Sequence, residues 1–193
     1  MAVAVQSVLP KLLTYEQYMA EGEINRRYEI VDGVRTVTNP TRRHQDIAGN
    51  LYERFRQYQR TRKHGRTFQP PCDVLITEIP LRIRQPDVLF MSQERLAQNP
   101  PADDPAPLNP APELVVEVLS PSDTAQVLTD KLADYCKVNV LECWIVRMNT
   151  QSVEVLQLTT EGIQSVAIYN IDEIVVSLKF SELSIPVVDV FAD

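Results

Sequence analysis

The alternation of apolar and polar residues changes period several times along the chain, and each change marks an element. The densest apolar run, Leu114-Val115-Val116-Glu117-Val118-Leu119, is nearly continuous and carries one acid within it. Such a run predicts a strand covered on both faces at the centre of a sheet, not a half-wetted edge strand. At the two-residue period of a strand, Glu113, Val115, Glu117 and Leu119 share one face. Pro121 then breaks the strand, and Ser122 or Asp123 is placed to cap a helix over residues 124–137. Val127, Leu128, Leu132 and Tyr135 form the apolar stripe of that helix, and Lys131 falls inside the stripe. Asp123, Asp130 and Asp134 fall on its other faces.

Earlier in the chain, Thr14 and Gln17 have the spacing of a capping box and open a short helix through Met19. Residues 28–31 and 34–38 read as a hairpin around Asp32-Gly33. Asn39-Pro40-Thr41 punctuates the chain before a long helix, residues 42–62, whose inward stripe is His44, Ala48, Leu51, Phe55 and Tyr58. Short strands follow at 67–69, 74–77 and 88–91, the last directly after Gln85-Pro86-Asp87. Residues 99–112 hold six prolines with Asp103 and Asp104 and read as a loop. Strands at 143–148, 153–158 and 163–168 complete the pattern, and residues 180–191 are expected to close the sheet with an exposed end. The elements describe an α/β fold with a mixed central sheet, flanked by the His44 helix and the Lys131 helix.

Length makes this one domain, residues 1–193, because two halves of such a chain would each be short of core. No apolar run approaches the roughly 20 residues of a membrane span, and residues 1–9 lack the basic start of a signal peptide, so a cytoplasmic protein is expected. Cys72, Cys136 and Cys143 have no metal-ligand spacing and are expected to be reduced, buried thiols, which argues against zinc. Five glycines form no phosphate-cradling loop. The net charge of −7 is the wrong sign for a nucleic-acid partner, but its distribution is uneven. Eleven of the 19 Lys and Arg residues lie between Arg26 and Arg66 against four acids, which leaves this segment at +7 and the remainder at −14. The stretch from Arg42 to Arg66 is therefore the expected contact for DNA, although a charged run is as often a solvated helix face.

Glu117 is the residue that asks for chemistry. A buried carboxylate left alone costs on the order of several kcal/mol, so it must be protonated, paired or bound to metal. The inward Lys131 can pair with it. A buried salt bridge would explain those two residues, but Asp87, at the start of a neighbouring strand, adds a second acid that a bridge does not need. Two carboxylates and a lysine suit a hard divalent cation and a phosphodiester.

These residues carry a resemblance. Pro86-Asp87, Glu117 and Lys131 resemble the PD-(D/E)xK nuclease superfamily. Glu113-Leu-Val-Val-Glu117-Val-Leu-Ser-Pro-Ser, then Lys131, Tyr135 and Cys143-Trp144-Ile145-Val146, is similar to its large cyanobacterial branch of restriction endonucleases, known as a domain of unknown function. The likeness runs from Tyr28-Glu29-Ile30-Val31-Asp32-Gly33 to Val190-Phe191. It implies a restriction-endonuclease-like fold and Mg²⁺-dependent hydrolysis of DNA, with Mn²⁺ as a substitute. Asp87 and Glu117 would hold the metal, with the Val118 carbonyl completing its shell, and Lys131 would serve the attacking water or the developing charge. His44, near the N-terminus of its helix, and Glu29, as a third carboxylate, would join the catalytic set. The resemblance leaves a homodimer open. The chain departs from the commonest pattern at Leu119, where a lysine two residues after Glu117 is expected, and Lys131 stands in for it from the helix. Cys143 and Arg147 also depart, replacing an aromatic and an acid. A rival reading keeps the fold and loses catalysis, leaving a nuclease-fold module that binds nucleic acid or a protein.

Overall fold

The computed structural model describes residues 12–22, 24–120 and 123–192. In chain order the first half runs α1 (Tyr15–Glu21), β1 (Tyr28–Val31), β2 (Val34–Val37), α2 (Arg42–Arg62), β3 (Gly65–Phe68), β4 (Val74–Thr77), β5 (Arg82–Arg84) and β6 (Val88–Ser92). The second half runs α3 (Gln93–Leu96), β7 (Leu114–Leu119), α4 (Ala125–Lys137), β8 (Glu142–Arg147), β9 (Ser152–Thr159), β10 (Gly162–Tyr169), β11 (Ile174–Val176), β12 (Ser184–Pro186) and α5 (Val187–Val190).

Six strands form the main sheet in the order β10-β9-β8-β7-β6-β3. The pair β7–β8 is parallel, joined through α4, and the other neighbours are antiparallel. The sheet is therefore mixed, and β7 lies inside it, as the unbroken apolar run requires. Its two faces carry separate cores. Leu114, Val116 and Val118 pack with Ile47, Leu51, Phe55 and Tyr58 of α2. Val115, Cys143 and Ile145 pack with Leu132 and Tyr135 of α4. The two long helices thus cover opposite faces, as the sequence pattern implied.

A second sheet, β2-β1-β5-β4, starts from the hairpin at Asp32-Gly33. Both turn residues have positive φ, 49° and 79°, the conformation that this dipeptide favours in a two-residue turn. Tyr28, Ile30 and Ile83 point to one face and form a small core with Tyr18 of α1. By the alternation of a strand, Glu29, Arg82 and Arg84 take the other face, toward α4. The box at Thr14 forms as expected, the Thr14 hydroxyl accepting from Gln17 N–H and the Gln17 side chain accepting from Thr14 N–H.

Several expectations are corrected. The α4 cap is Thr124, whose hydroxyl accepts from Val127 N–H, and Asp123 instead accepts from Ser120 N–H. Pro121, Ser122 and residues 1–9 lie outside the described residues. Val127 is exposed, whereas Asp134, placed by its spacing on an outer face, is buried. The C-terminal segment does not extend the main sheet. It folds into a separate ribbon, β11–β12, with α5, and packs its apolar side chains beside α2. The buried Glu142 fastens this ribbon, accepting from Trp144 Nε1, Ser177 Oγ and the backbone of Leu178 and Lys179. Strand β5 and the short α3 were not legible in the residue pattern.

Candidate functional site

Asp87 sits just before β6, where its backbone N–H donates to Val116 O across the β6–β7 pair. This brings its carboxylate beside β7, and Val118 N–H donates to Asp87 Oδ2 at 2.7 Å. His44 reaches the same oxygen from α2, with Nε2 at 3.3 Å, and Arg27, just before β1, donates to Oδ1. The position of His44 follows from its helix: it is the third residue after the cap Thr41, whose hydroxyl accepts from His44 N–H. Its Nδ1 is buried and has no hydrogen-bond partner among the described residues.

Glu117 projects from the opposite face of β7, under α4. Lys131 Nζ lies 2.9 Å from Glu117 Oε2, and the Tyr135 hydroxyl, one helical turn on, donates to Glu117 Oε1. The same Lys131 Nζ lies 2.9 Å from Glu29 Oε1 on the second sheet. Glu29 Oε2 accepts in turn from Arg84 Nη1 at 2.8 Å. Arg84, only 2% exposed, also donates to Asp134 at 2.8 Å and Asp130 at 2.6 Å on α4. Arg82 adds a further bond to Asp130 at 2.6 Å. The cluster therefore joins both sheets and both long helices around one end of the β6–β7–β8 pairing.

The two central carboxylates are driven apart in acidity. Burial alone would raise both. At Asp87 the His44 hydrogen bond and the Arg27 charge outweigh burial and hold the carboxyl below its ordinary range. At Glu117 burial wins, helped by Asp87 and Glu29 and opposed by Lys131 and Tyr135, so its carboxyl is pushed up. Lys131 shows the reverse balance, in which burial would favour the neutral amine but Glu117 and Glu29 raise its pKa and keep it charged. Tyr135 is also pushed up, by burial and then by Glu117, and stays a hydrogen donor. Opposite shifts on neighbouring groups mark a site where protonation states are set by environment.

Of the residues singled out in the sequence, Lys131, Glu117 and Glu29 meet directly, and His44, Asp87 and the Val118 backbone meet directly. Val118 faces Asp87 with its N–H. Four participants gave no such signal. Tyr135 was read as packing, yet its hydroxyl bonds Glu117. Arg27 and Arg84 were passed over, and Asp134 was placed on an outer face, because their partners are 46 to 60 positions away. The alternation Arg82-Ile83-Arg84 was the available clue, a strand with one charged face needing acids opposite it. Glu113, which shares the strand face of Glu117, is buried and accepts from Ser92 N–H and Oγ at the far end of β7.

The thiols take no part. Cys72, Cys136 and Cys143 are free, Cys143 fully buried and the other two partly so. Burial, then Asp73, pushes the Cys72 thiol up to about 12. At about pH 8 its thiolate fraction is then lower than that of an ordinary thiol by about a thousandfold. Alkylation of native Cys72 is accordingly expected to be slower than in the unfolded chain by that factor. Its rate should keep rising between about pH 9 and 11, where the unfolded control has levelled off. Mass-spectrometric labelling measures both, and rapid labelling of the folded protein would contradict the assignment.

Two clefts open near the cluster. One, of about 390 Å³, is lined by Arg26, Arg27, His44, Gln45, Gln69 and Asp87 among others. The other, of about 650 Å³, lies beyond Tyr28 and is walled by Asp73, Asp103 and Asp104. Among the described residues no group of three His, Cys, Asp or Glu side chains is arranged to hold a metal ion. Nor, among them, is any helix long and apolar enough to cross a membrane.

A crystal structure of a "putative nuclease" from Anabaena variabilis matches the fold with a TM-score of 0.72, over 93% of this chain and 97% of that one, at 18% identity. Strand order, flanking helices and this likeness define the class: an α/β protein of restriction-endonuclease-like fold. The chain belongs to the Uma2 family, described as "Putative restriction endonuclease", whose model matches residues 14–188. No curated protein matches the chain.

Proposed function

We propose that the protein is a divalent-cation-dependent endonuclease that hydrolyses phosphodiester bonds of DNA, with the Asp87–Glu117–Lys131 cluster as its centre. The observation that carries this reading is the pair Asp87 and Glu117. Both carboxylates are buried, the charge of Asp87 adds to the cost of ionising Glu117, and a charged lysine pairs with Glu117. Their donor chemistry would suit Mg²⁺ or Mn²⁺: hard carboxylate oxygens, and an Asp87 charge acting on Glu117 that a cation would relieve, with the Val118 carbonyl as the further donor that the family resemblance implies. Asp87 and Glu117 would hold the ion. When bound, it supplies positive charge to the phosphate and a more acidic water. Lys131, kept protonated by its two acids, serves as a fixed charge for the phosphorane rather than as a base. His44 orients Asp87 from the α2 side, and Glu29 holds Lys131 from the second sheet. DNA would approach along α2, where Arg42 and Arg60 are exposed, while Arg54 and Arg62 pair with Asp189 and Glu182.

One observation favours the rival reading of a non-catalytic binding module: each carboxylate of the cluster already has a cationic partner in Arg27, Lys131 or Arg84. Metal binding and cleavage separate the two. A hundredfold excess of Mg²⁺ over its Kd stabilises a protein by about 2.7 kcal/mol, on the order of 5–10 °C in melting temperature for a domain of this size. We expect that shift in the native protein and its loss in Asp87→Asn and Glu117→Gln, together with loss of Mg²⁺-dependent nicking of supercoiled plasmid. A melting temperature indifferent to Mg²⁺ and Mn²⁺, with the plasmid intact, would leave the binding module.

A further inference from the structure

The two oxygens of the Asp87 carboxylate are held in different ways. Oδ2 is fixed by the backbone, through Val118 N–H at 2.7 Å, and by His44. Oδ1 is held by the guanidinium of Arg27, a long side chain that is 20% exposed. Loss of Arg27 from Oδ1 would leave Asp87 oriented by its other oxygen. The other cations of the cluster lack this freedom. Lys131 is pinned between Glu117 and Glu29, and Arg84 is locked by Glu29, Asp130 and Asp134. Among the ion pairs of the described residues, Arg27 has one carboxylate partner.

The surroundings of Arg27 indicate where it can go. Its backbone is tethered, since Thr38 N–H donates to Arg27 O beside the β1–β2 hairpin. Its side chain lines the cleft of about 390 Å³ that opens onto Asp87. Arg26, Gln45 and Gln69 add hydrogen donors to that cleft, and among the described residues Asp87 is the one acid lining it. A guanidinium presents five donors in a planar fork that matches phosphate oxygens. The larger cleft has the wrong electrostatics for the same ligand, with Asp73, Asp103 and Asp104 in its wall.

We propose that Arg27 is a place-holder that becomes a substrate ligand. It occupies Oδ1 of Asp87 while no divalent cation is bound, and turns into the cleft to bind a non-bridging oxygen of the nucleic-acid backbone once a cation takes that oxygen. The inference rests on the nuclease reading above and adds to it a competition between an arginine and a metal for one oxygen. The competition gives Arg27 opposite effects on the two ligands: it opposes the cation and favours the phosphate.

The test uses the full chain without any cleavage assay. Mg²⁺ is titrated calorimetrically into the native protein and Arg27→Met, and binding of a labelled duplex oligonucleotide is followed by anisotropy in Ca²⁺. The variant is expected to bind Mg²⁺ more tightly by about fivefold or more, the usual lower range of a coupling between sites. It is expected to bind the duplex about tenfold more weakly, the equivalent of one charge-assisted hydrogen bond. Arg27→Lys, which keeps the charge and loses the fork, should leave Mg²⁺ affinity near the native value and still weaken the duplex; it also serves if the methionine variant does not fold. Native protein that binds Mg²⁺, with Arg27→Met showing the same or weaker Mg²⁺ affinity, or with either variant binding the duplex as tightly as the native protein, overturns the place-holder and leaves the nuclease reading intact. Native protein that binds no cation overturns both.

Discussion

Lys131→Met is expected to lower cleavage per folded molecule by on the order of 10²–10³, the usual cost of removing one preorganised charge from a transition state. Single-turnover cleavage of a plasmid in Mg²⁺, normalised to the folded fraction from circular dichroism, measures it. The size follows from geometry. Lys131 Nζ is 2.9 Å from Glu117 and 2.9 Å from Glu29, so its charge is held in place before substrate arrives. Position 119, where a strand lysine would otherwise serve, is leucine. Methionine preserves the long stem that packs in the α4 stripe. The fold should survive, because Glu29 keeps Arg84 and Glu117 keeps the Tyr135 hydroxyl and is already inclined to hold a proton. A purely structural bridge gives another outcome: lower stability with native cleavage per folded molecule, which would remove Lys131 from the chemistry.

The largest loss of stability is expected at Arg84. Arg84→Met removes a nearly fully buried guanidinium and leaves Glu29 with Lys131 alone and Asp134 with Arg82 alone, the two acids being 15% and 7% exposed. Breaking a buried pair from one side costs about 3–5 kcal/mol, because the remaining charge has no water to return to. Urea unfolding of the variant against the native protein reads this directly. Arg62→Met is the internal control. Its pair with Glu182 is about half exposed on both sides, and such pairs contribute less than about 1 kcal/mol. Equal effects at the two positions would show that Arg84 is no keystone between the second sheet and α4. Lowered cleavage by Arg84→Met beyond its loss of folded protein is also expected, since Glu29 would then hold Lys131 unsupported.

What was legible in the sequence was what periodicity encodes. Glu117 stood out because an acid interrupted an otherwise continuous apolar strand, and Lys131 because it fell in the apolar stripe of the next helix. Asp87 followed from a proline before a short strand. Glu117 and Lys131 each lie on the face that their local period assigns, so their pairing needed only β7 and α4 to pack. The ion pairs around them were not legible. Arg27 with Asp87, and Arg84 with Glu29, Asp130 and Asp134, join positions whose separation leaves no local trace, and their faces depend on how two sheets meet. The error at Val127 and Asp134 has the same origin. Helical spacing alone put the valine inward and the aspartate outward, but Arg84 draws the aspartate in. The C-terminal ribbon was misread because its apolar residues serve the α2 core without joining the main sheet, and a strand pattern does not say which sheet it belongs to.

The cluster has a consequence for the timing of function. Glu29 and Arg84 belong to one sheet, Glu117 to the other, Lys131 to the helix lodged between them, and His44 to the helix on the far face. No single unit carries more than part of the set. A chain that is half made or half unfolded therefore has these acids and bases on separate surfaces, and the set comes together only once the sheets and helices have docked. Dividing the cluster across two sheets and two helices makes completed folding a condition of its assembly and, under the proposed nuclease function, of cleavage.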